Sequence, residues 1–110
     1  MVSADSHLII QRGIDETFLT FADSQLLDEN LIKQIEQEIT GIINEENQKN
    51  MLLDFSRVEF MSSSFLGLLV KIHKRISEKN GQLKLCNINK KIREIFKITR
   101  LDKIFQIDEH

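Results

Sequence analysis

The sequence predicts an α/β fold, and three observations carry that prediction. Apolar residues recur at helical spacing over residues 31–43 and again over 65–76. Short apolar or alternating runs of strand length lie before and between those stretches. Their order, two strands followed by alternating helices and strands, is the one that helical crossovers between parallel strands produce.

Leu8-Ile9-Ile10 reads as a short strand, and Thr17-Phe18-Leu19-Thr20-Phe21 alternates with period two, as a half-buried strand does. Gly13-Ile14-Asp15-Glu16 separates them at hairpin length, so the two are expected to pair antiparallel. Asp28 or Asn30 is placed to cap the next element. Leu31, Ile32, Ile35, Ile39, Ile42 and Ile43 then form an apolar stripe among Lys, Gln, Glu and Thr, the pattern of an amphipathic helix. It ends in the polar stretch Asn44 to Asn50, with Glu45-Glu46 as a solvated helix end. Met51-Leu52-Leu53-Asp54-Phe55 suits a buried strand. A second helix starts within Ser62-Ser63-Ser64 and runs to about Asn80, and Gly81 stands where a stop is expected. Leu83-Lys84-Leu85 alternates as the next strand, and Asn89 is placed to cap a third helix carrying Ile92, Ile95 and Phe96. Lys103 to Ile107 reads as a final strand or extended tail. The order is β-β-α-β-α-β-α-β, in a single domain over 1–110 with its core at about 7–107.

The 110 residues suffice to bury a core without disulfide or metal. A net charge of -2 gives no long-range attraction to nucleic acid or an anionic membrane, so neither is expected as a partner. Lys90, Lys91, Arg93, Lys97, Arg100 and Lys103 form a local basic cluster, read as the solvated side of a helix. The opening Met1 to Asp5 lacks a basic and apolar leader pattern, and no apolar run approaches the ~20 residues of a membrane span. A cytoplasmic location is expected. Cys86, the single cysteine, is expected to be a buried, inert thiol.

Little in the chain points to catalysis. His7, His73 and His110 lack ligand spacing, so no metal site is expected, and His73 is placed at the margin of a helix core. The four glycines are isolated, with no phosphate-cradling loop. No nucleophile stands beside a base in a recognisable pattern, and Asp54 is expected to bond loop amides. The expectation is an interaction module, not an enzyme, with no cofactor.

The informative segment is Leu53-Asp54-Phe55-Ser56-Arg57-Val58-Glu59-Phe60-Met61-Ser62-Ser63-Ser64-Phe65-Leu66-Gly67: strand, loop, and first helical turn. One serine suffices as an N-cap, contributing about 1 kcal/mol. Three exceed what capping needs, although a cap with two loop serines remains the plainer reading. A phosphoserine at a helix N-terminus is locally tolerated and adds up to about two negative charges to the surface. That is a physical basis for a binding switch.

Asp54-Phe55-Ser56-x-Val58-x-Phe60-Met61, followed by the serines and Leu66-Gly67, resembles the signature of the STAS-domain anti-sigma factor antagonists. Asn80-Gly81-x-Leu83-x-Leu85-Cys86-Asn87 is similar as well, as is Ile92-Arg93-x-Ile95-Phe96-x-Ile98-Thr99-x-Leu101-Asp102-x-Ile104-Phe105. The resemblance implies a mixed sheet of about four to five strands flanked by three to four helices. It implies partner switching: the unphosphorylated antagonist binds an anti-sigma factor, often a GHKL-type serine kinase. Phosphorylation weakens the complex, and a PP2C-type phosphatase reverses it. By position the acceptor is Ser63, with Ser62 and Ser64 as alternatives. Ser62 stands where the family usually has Asp, and Phe65 where it usually has Gly.

The second helix bears on the partner surface. Phe65, Leu66, Leu68, Leu69, Val70, Ile72, His73 and Ile76 span roughly 200°, about twice what a surface helix needs. With Leu66, Leu69, Val70 and His73 toward the sheet, Phe65, Leu68 and Ile72 are left at an exposed edge. Together with Ser62, Ser63 and Ser64 they are the expected partner-binding residues. Burial of Leu68 and Ile72 against the third helix is the alternative. Two other functions stay open: a constitutive module or homodimer anchored by Phe65, and a ligand-sensing domain.

Overall fold

The computed structural model describes residues 7–45 and 50–108. Seven strands and three helices follow in the order β1 (Leu8–Arg12), β2 (Glu16–Phe21), β3 (Gln25–Leu26), α1 (Glu29–Glu45), β4 (Asn50–Asp54), β5 (Phe60–Met61), α2 (Ser63–Glu78), β6 (Leu83–Cys86), α3 (Lys90–Ile98) and β7 (Gln106–Asp108). A short 3-10 turn at Leu101–Lys103 precedes β7.

Five strands form one mixed sheet in the order β1-β2-β4-β6-β7. The hairpin pairs antiparallel, Leu8 opposite Phe21 and Arg12 opposite Thr17, and the remaining neighbours are parallel, as the helical crossovers require. Gly13 closes the hairpin by donating its N–H to the Glu16 carbonyl at 2.7 Å. A Cβ there would meet that same oxygen at 3.0 Å, so a larger residue requires the turn to give by a few tenths of an ångström.

Period-two alternation decides what each strand buries. Thr17, Leu19 and Phe21, then Met51 and Leu53, then Leu83 and Leu85 lie side by side in register and are buried. Thr17 apart, they form one apolar core with Ile35 and Ile39 of α1, Leu69 and Ile76 of α2, and Ile92 and Phe96 of α3. The other face carries Ile9, Phe18, Leu52 and Lys84, all exposed or half-buried.

Local signals account for most helix ends. Asp28, not Asn30, caps α1, its carboxylate accepting the Leu31 N–H at 3.1 Å. Asn89 caps α3 through the Ile92 N–H at 2.9 Å. At the end of α2 the expected stop shifts by one residue. Asn80 takes the left-handed conformation (φ 62°), while Gly81 only donates its N–H to the Ile76 carbonyl at 2.9 Å. The Asn80 N–H reaches the Ser77 carbonyl at 3.0 Å, which completes a Schellman cap with asparagine in the role usually given to glycine.

Two further expectations are corrected, and one pairing is new. The final strand begins at Gln106, because the 3-10 turn occupies Leu101–Lys103. Strands β3 and β5, each two residues long, pair with each other and were not anticipated. Cys86 is half-buried, with its sulfur 3.8 Å from the Asn87 amide nitrogen. His73 does sit at the core margin, edge-on to Phe105 with ring centroids 5.5 Å apart. His110 and Glu46 lie outside the described residues.

His7 fastens the start of β1 to its neighbours. Its Nδ1 lies 2.8 Å from the Asp23 carboxylate and its Nε2 lies 2.8 Å from the Gln34 side-chain oxygen. With two acceptors facing two ring nitrogens, the doubly protonated ring fits best. Burial opposes that charge, but Gln34, Asp23 and Glu38 outweigh it and raise the pKa above its ordinary 6.5. The contribution to stability is therefore full below pH 6.5 and is lost as pH rises through the folded-state pKa. The stability gap between wild type and His7→Ala should narrow from pH 5.5 to 8.5 in chemical denaturation. A gap that does not change with pH would remove the charged ring from the account.

Candidate functional site

The serines lie on a loop fixed from both sides. Strand β4 ends at Asp54, whose carboxylate accepts the Ser56 N–H at 2.9 Å, as expected of a residue bonding loop amides, and the Asn87 amide at 2.9 Å. Burial alone would raise the Asp54 pKa. The Asn87 amide, the Ser56 N–H and hydroxyl and the Thr20 hydroxyl outweigh it and hold the carboxyl below its ordinary 3.8. On the other flank, Asn89 donates to the carbonyls of Val58 (3.1 Å) and Glu59 (3.3 Å).

The β3–β5 ladder closes the loop against the segment before α1. Glu59 and Phe60 donate their N–H groups to the Ser24 carbonyl at 2.7 and 3.1 Å, and Ser62 donates to the Leu26 carbonyl at 3.0 Å. Met61 and Leu26 turn inward and are buried. Phe60 turns outward at 42% exposure, with the Lys91 ammonium 5.1 Å from its ring centroid. Leu27, one residue beyond the ladder and beside Ser62, is 50% exposed.

The three hydroxyls then divide. Ser62 is the N-cap of α2 and its oxygen accepts the Phe65 N–H at 3.3 Å. Ser64 donates its hydroxyl to the Glu29 carboxylate of α1 at 2.9 Å. Ser63 is exposed, and its hydroxyl bonds to no described residue. It occupies the first helical position, where the free N–H groups of the first turn favour an anion.

Phe65 lies under this loop, contrary to expectation. It is 0% exposed and meets Phe21 and Phe55 edge-on, with centroids 5.3 and 6.4 Å away. Leu68 (4%) and Ile72 (3%) are buried as well, whereas Val70 is exposed and Leu66 and His73 are half-buried. The apolar arc of α2 is wide enough to admit two orientations. Its packing against α1 as well as the sheet selects the one that hides Leu68 and Ile72. Those three side chains therefore present no surface to a partner: Phe65 is covered by Phe21 and Phe55, and the helix packed along α2 is α1. The outward apolar residues near the serines are Leu27 and Phe60. Sequence reasoning missed them because their exposure depends on the two-residue ladder.

The family model for the STAS domain matches residues 10–110. The chain belongs to the STAS family. An anti-sigma F factor antagonist of Paenibacillus polymyxa is 25% identical over 81 residues, covering 74% of this chain and 69% of that protein. BtrV of Bordetella bronchiseptica is 27% identical over 75 residues; the match spans 68% of this chain and 64% of BtrV, just under two thirds of its length. Among solved structures, a STAS-domain anti-sigma-factor antagonist of Planctomyces limnophilus superimposes with a TM-score of 0.83 at 26% identity, covering 94% and 90% of the two chains. SpoIIAA of Bacillus, solved in unphosphorylated and phosphorylated forms, shares the fold at TM-scores of 0.72 and 0.75.

The Paenibacillus relative is an anti-sigma F factor antagonist, and the chain is an anti-sigma factor antagonist-like STAS domain. Among the described residues no helix is long and apolar enough to cross a membrane, and no group of three or more His, Cys, Asp or Glu is gathered for a metal ion. Of the basic cluster, Arg93 is half-buried and the other five residues are exposed.

Proposed function

We propose that this STAS domain is a partner switch that binds an anti-sigma factor through the end of the domain carrying Ser62 to Ser64, and releases it when Ser63 is phosphorylated. The observation that carries the reading is Ser63 itself: exposed, unengaged among the described residues and at the first turn of a helix. The partner is an anti-sigma factor, in the form of a GHKL-type serine kinase. A PP2C-type phosphatase restores the hydroxyl.

Leu27 and Phe60 supply the apolar half of the contact in place of Phe65, Leu68 and Ile72. Exposed aromatic residues beside a polar cluster are where binding energy concentrates. Phe60→Ala should weaken binding to the cognate anti-sigma factor by about 1–2 kcal/mol. The melting temperature should fall by only a few degrees, because 42% of the residue is already exposed. Unchanged affinity in titration calorimetry would move the surface elsewhere.

The switch is tested by binding of Ser63→Ala and Ser63→Asp to the same partner. The alanine variant should bind as wild type and the aspartate variant should bind weakly. Equal binding of both would leave a constitutive module in place of the switch.

A further inference from the structure

We infer that Glu29 selects the phosphoacceptor: by engaging the Ser64 hydroxyl it withholds that serine from phosphoryl transfer and leaves Ser63 as the acceptor. The inference rests on the partner-switch reading and adds a positioning residue from another helix.

Ser63 and Ser64 are adjacent, both exposed, and both in the first turn of α2. They stand at the first and second positions of the helix, one residue apart. Their side chains differ. The Ser64 hydroxyl points across to α1 and donates a hydrogen bond to the Glu29 carboxylate at 2.9 Å. Glu29 opens α1, immediately after the cap residue Asp28, so its backbone is held by the Leu31 N–H bond to the Asp28 side chain. A carboxylate at that distance discourages transfer twice over. It holds the hydroxyl in one direction, and it places a negative charge where an incoming triphosphate and the product phosphate would bring more. Ser63 makes no such contact with a described residue.

In the transfer itself, the Ser63 oxygen forms a bond to the γ-phosphorus of a nucleoside triphosphate held by the partner kinase. The bond from that phosphorus to the β,γ-bridging oxygen breaks, and the nucleoside diphosphate leaves. The hydroxyl proton passes to a base on the kinase. At Ser64 the same reaction would leave a phosphate with a charge near -2 beside Glu29.

The test is site-resolved phosphopeptide mass spectrometry on the full chain produced in its native cells, as wild type, Glu29→Ala and Glu29→Lys. Wild type should carry phosphate on Ser63 in preference to Ser64. In Glu29→Ala the Ser64-to-Ser63 ratio should rise on the order of tenfold, the size expected from one close carboxylate in a solvated setting. Glu29→Lys should raise it further, since it also reverses the charge. A merely structural role for Glu29 would lower the melting temperature without moving the ratio. A ratio unchanged in both variants, with Ser63 phosphorylated, overturns the role of Glu29 alone. The absence of phosphate from all three serines in every variant overturns the partner switch, and this inference with it.

Discussion

Phe65→Ala should lower the stability of the domain by about 3–5 kcal/mol, the cost of removing a fully buried phenylalanine and leaving a cavity. The ring is 0% exposed and forms the apex of a three-ring cluster in which Phe21 and Phe55 are themselves 5.0 Å apart. Each edge-to-face pair adds about 0.5–1.5 kcal/mol beyond area burial, so the upper part of the range is the better expectation. Total stability of such domains is about 5–15 kcal/mol, so the variant will be marginal. Its melting temperature should fall on the order of 15–25 °C. The chain has no Trp and no Tyr, so far-UV circular dichroism or calorimetry is the suitable probe. A melting temperature within a few degrees of wild type, with partner binding lost, would restore Phe65 to the surface role its sequence position first suggested.

Ser63→Asp should weaken partner binding by about 10- to 100-fold, or 1.4–2.8 kcal/mol. Aspartate carries one negative charge where phosphoserine carries up to about two, so the phosphorylated protein should bind more weakly still. The variant also separates binding from folding. An acidic residue at the first helical position is favoured by the free N–H groups and the helix dipole, by about 0.3–1 kcal/mol. Its melting temperature should therefore hold or rise slightly while affinity falls. Ser63→Ala removes the hydroxyl without adding charge and should bind within a few-fold of wild type. Loss of binding in the alanine variant would mean that the hydroxyl itself makes an essential contact, and that added charge is not the signal.

The elements with a strong local signal were legible in the sequence. The hairpin, the α1 stripe and the Asn89 cap each depend on residues near one another in the chain, so periodicity and capping chemistry suffice. The rotation of α2 about its axis was not legible. Phe65, Leu68, Leu69, Ile72 and Ile76 form one plausible inward stripe, and Leu66, Leu69, Val70 and His73 form another. Choosing between them requires knowing that α1 lies alongside. The serine site shows the same division. Three adjacent hydroxyls before an apolar helix announce themselves, but their differing engagements do not. Ser64 meets Glu29 from 35 positions away, and no local pattern carries that contact. Strands of two residues, such as β3 and β5, are too short for alternation to register.

The β3–β5 ladder also governs when the serine loop comes into being. Its bonds join the segment after β2 to the segment after β4, which are separated by the whole of α1. Closing a loop of that length costs entropy before any contact returns it. Pairing of β4 with β2 closes the same span of chain, so the ladder is expected to form together with that pairing and not before it. A nascent or half-unfolded chain has the three serines but not the arrangement that distinguishes them. A kinase that recognises the arrangement would thus act on finished molecules and pass over immature ones.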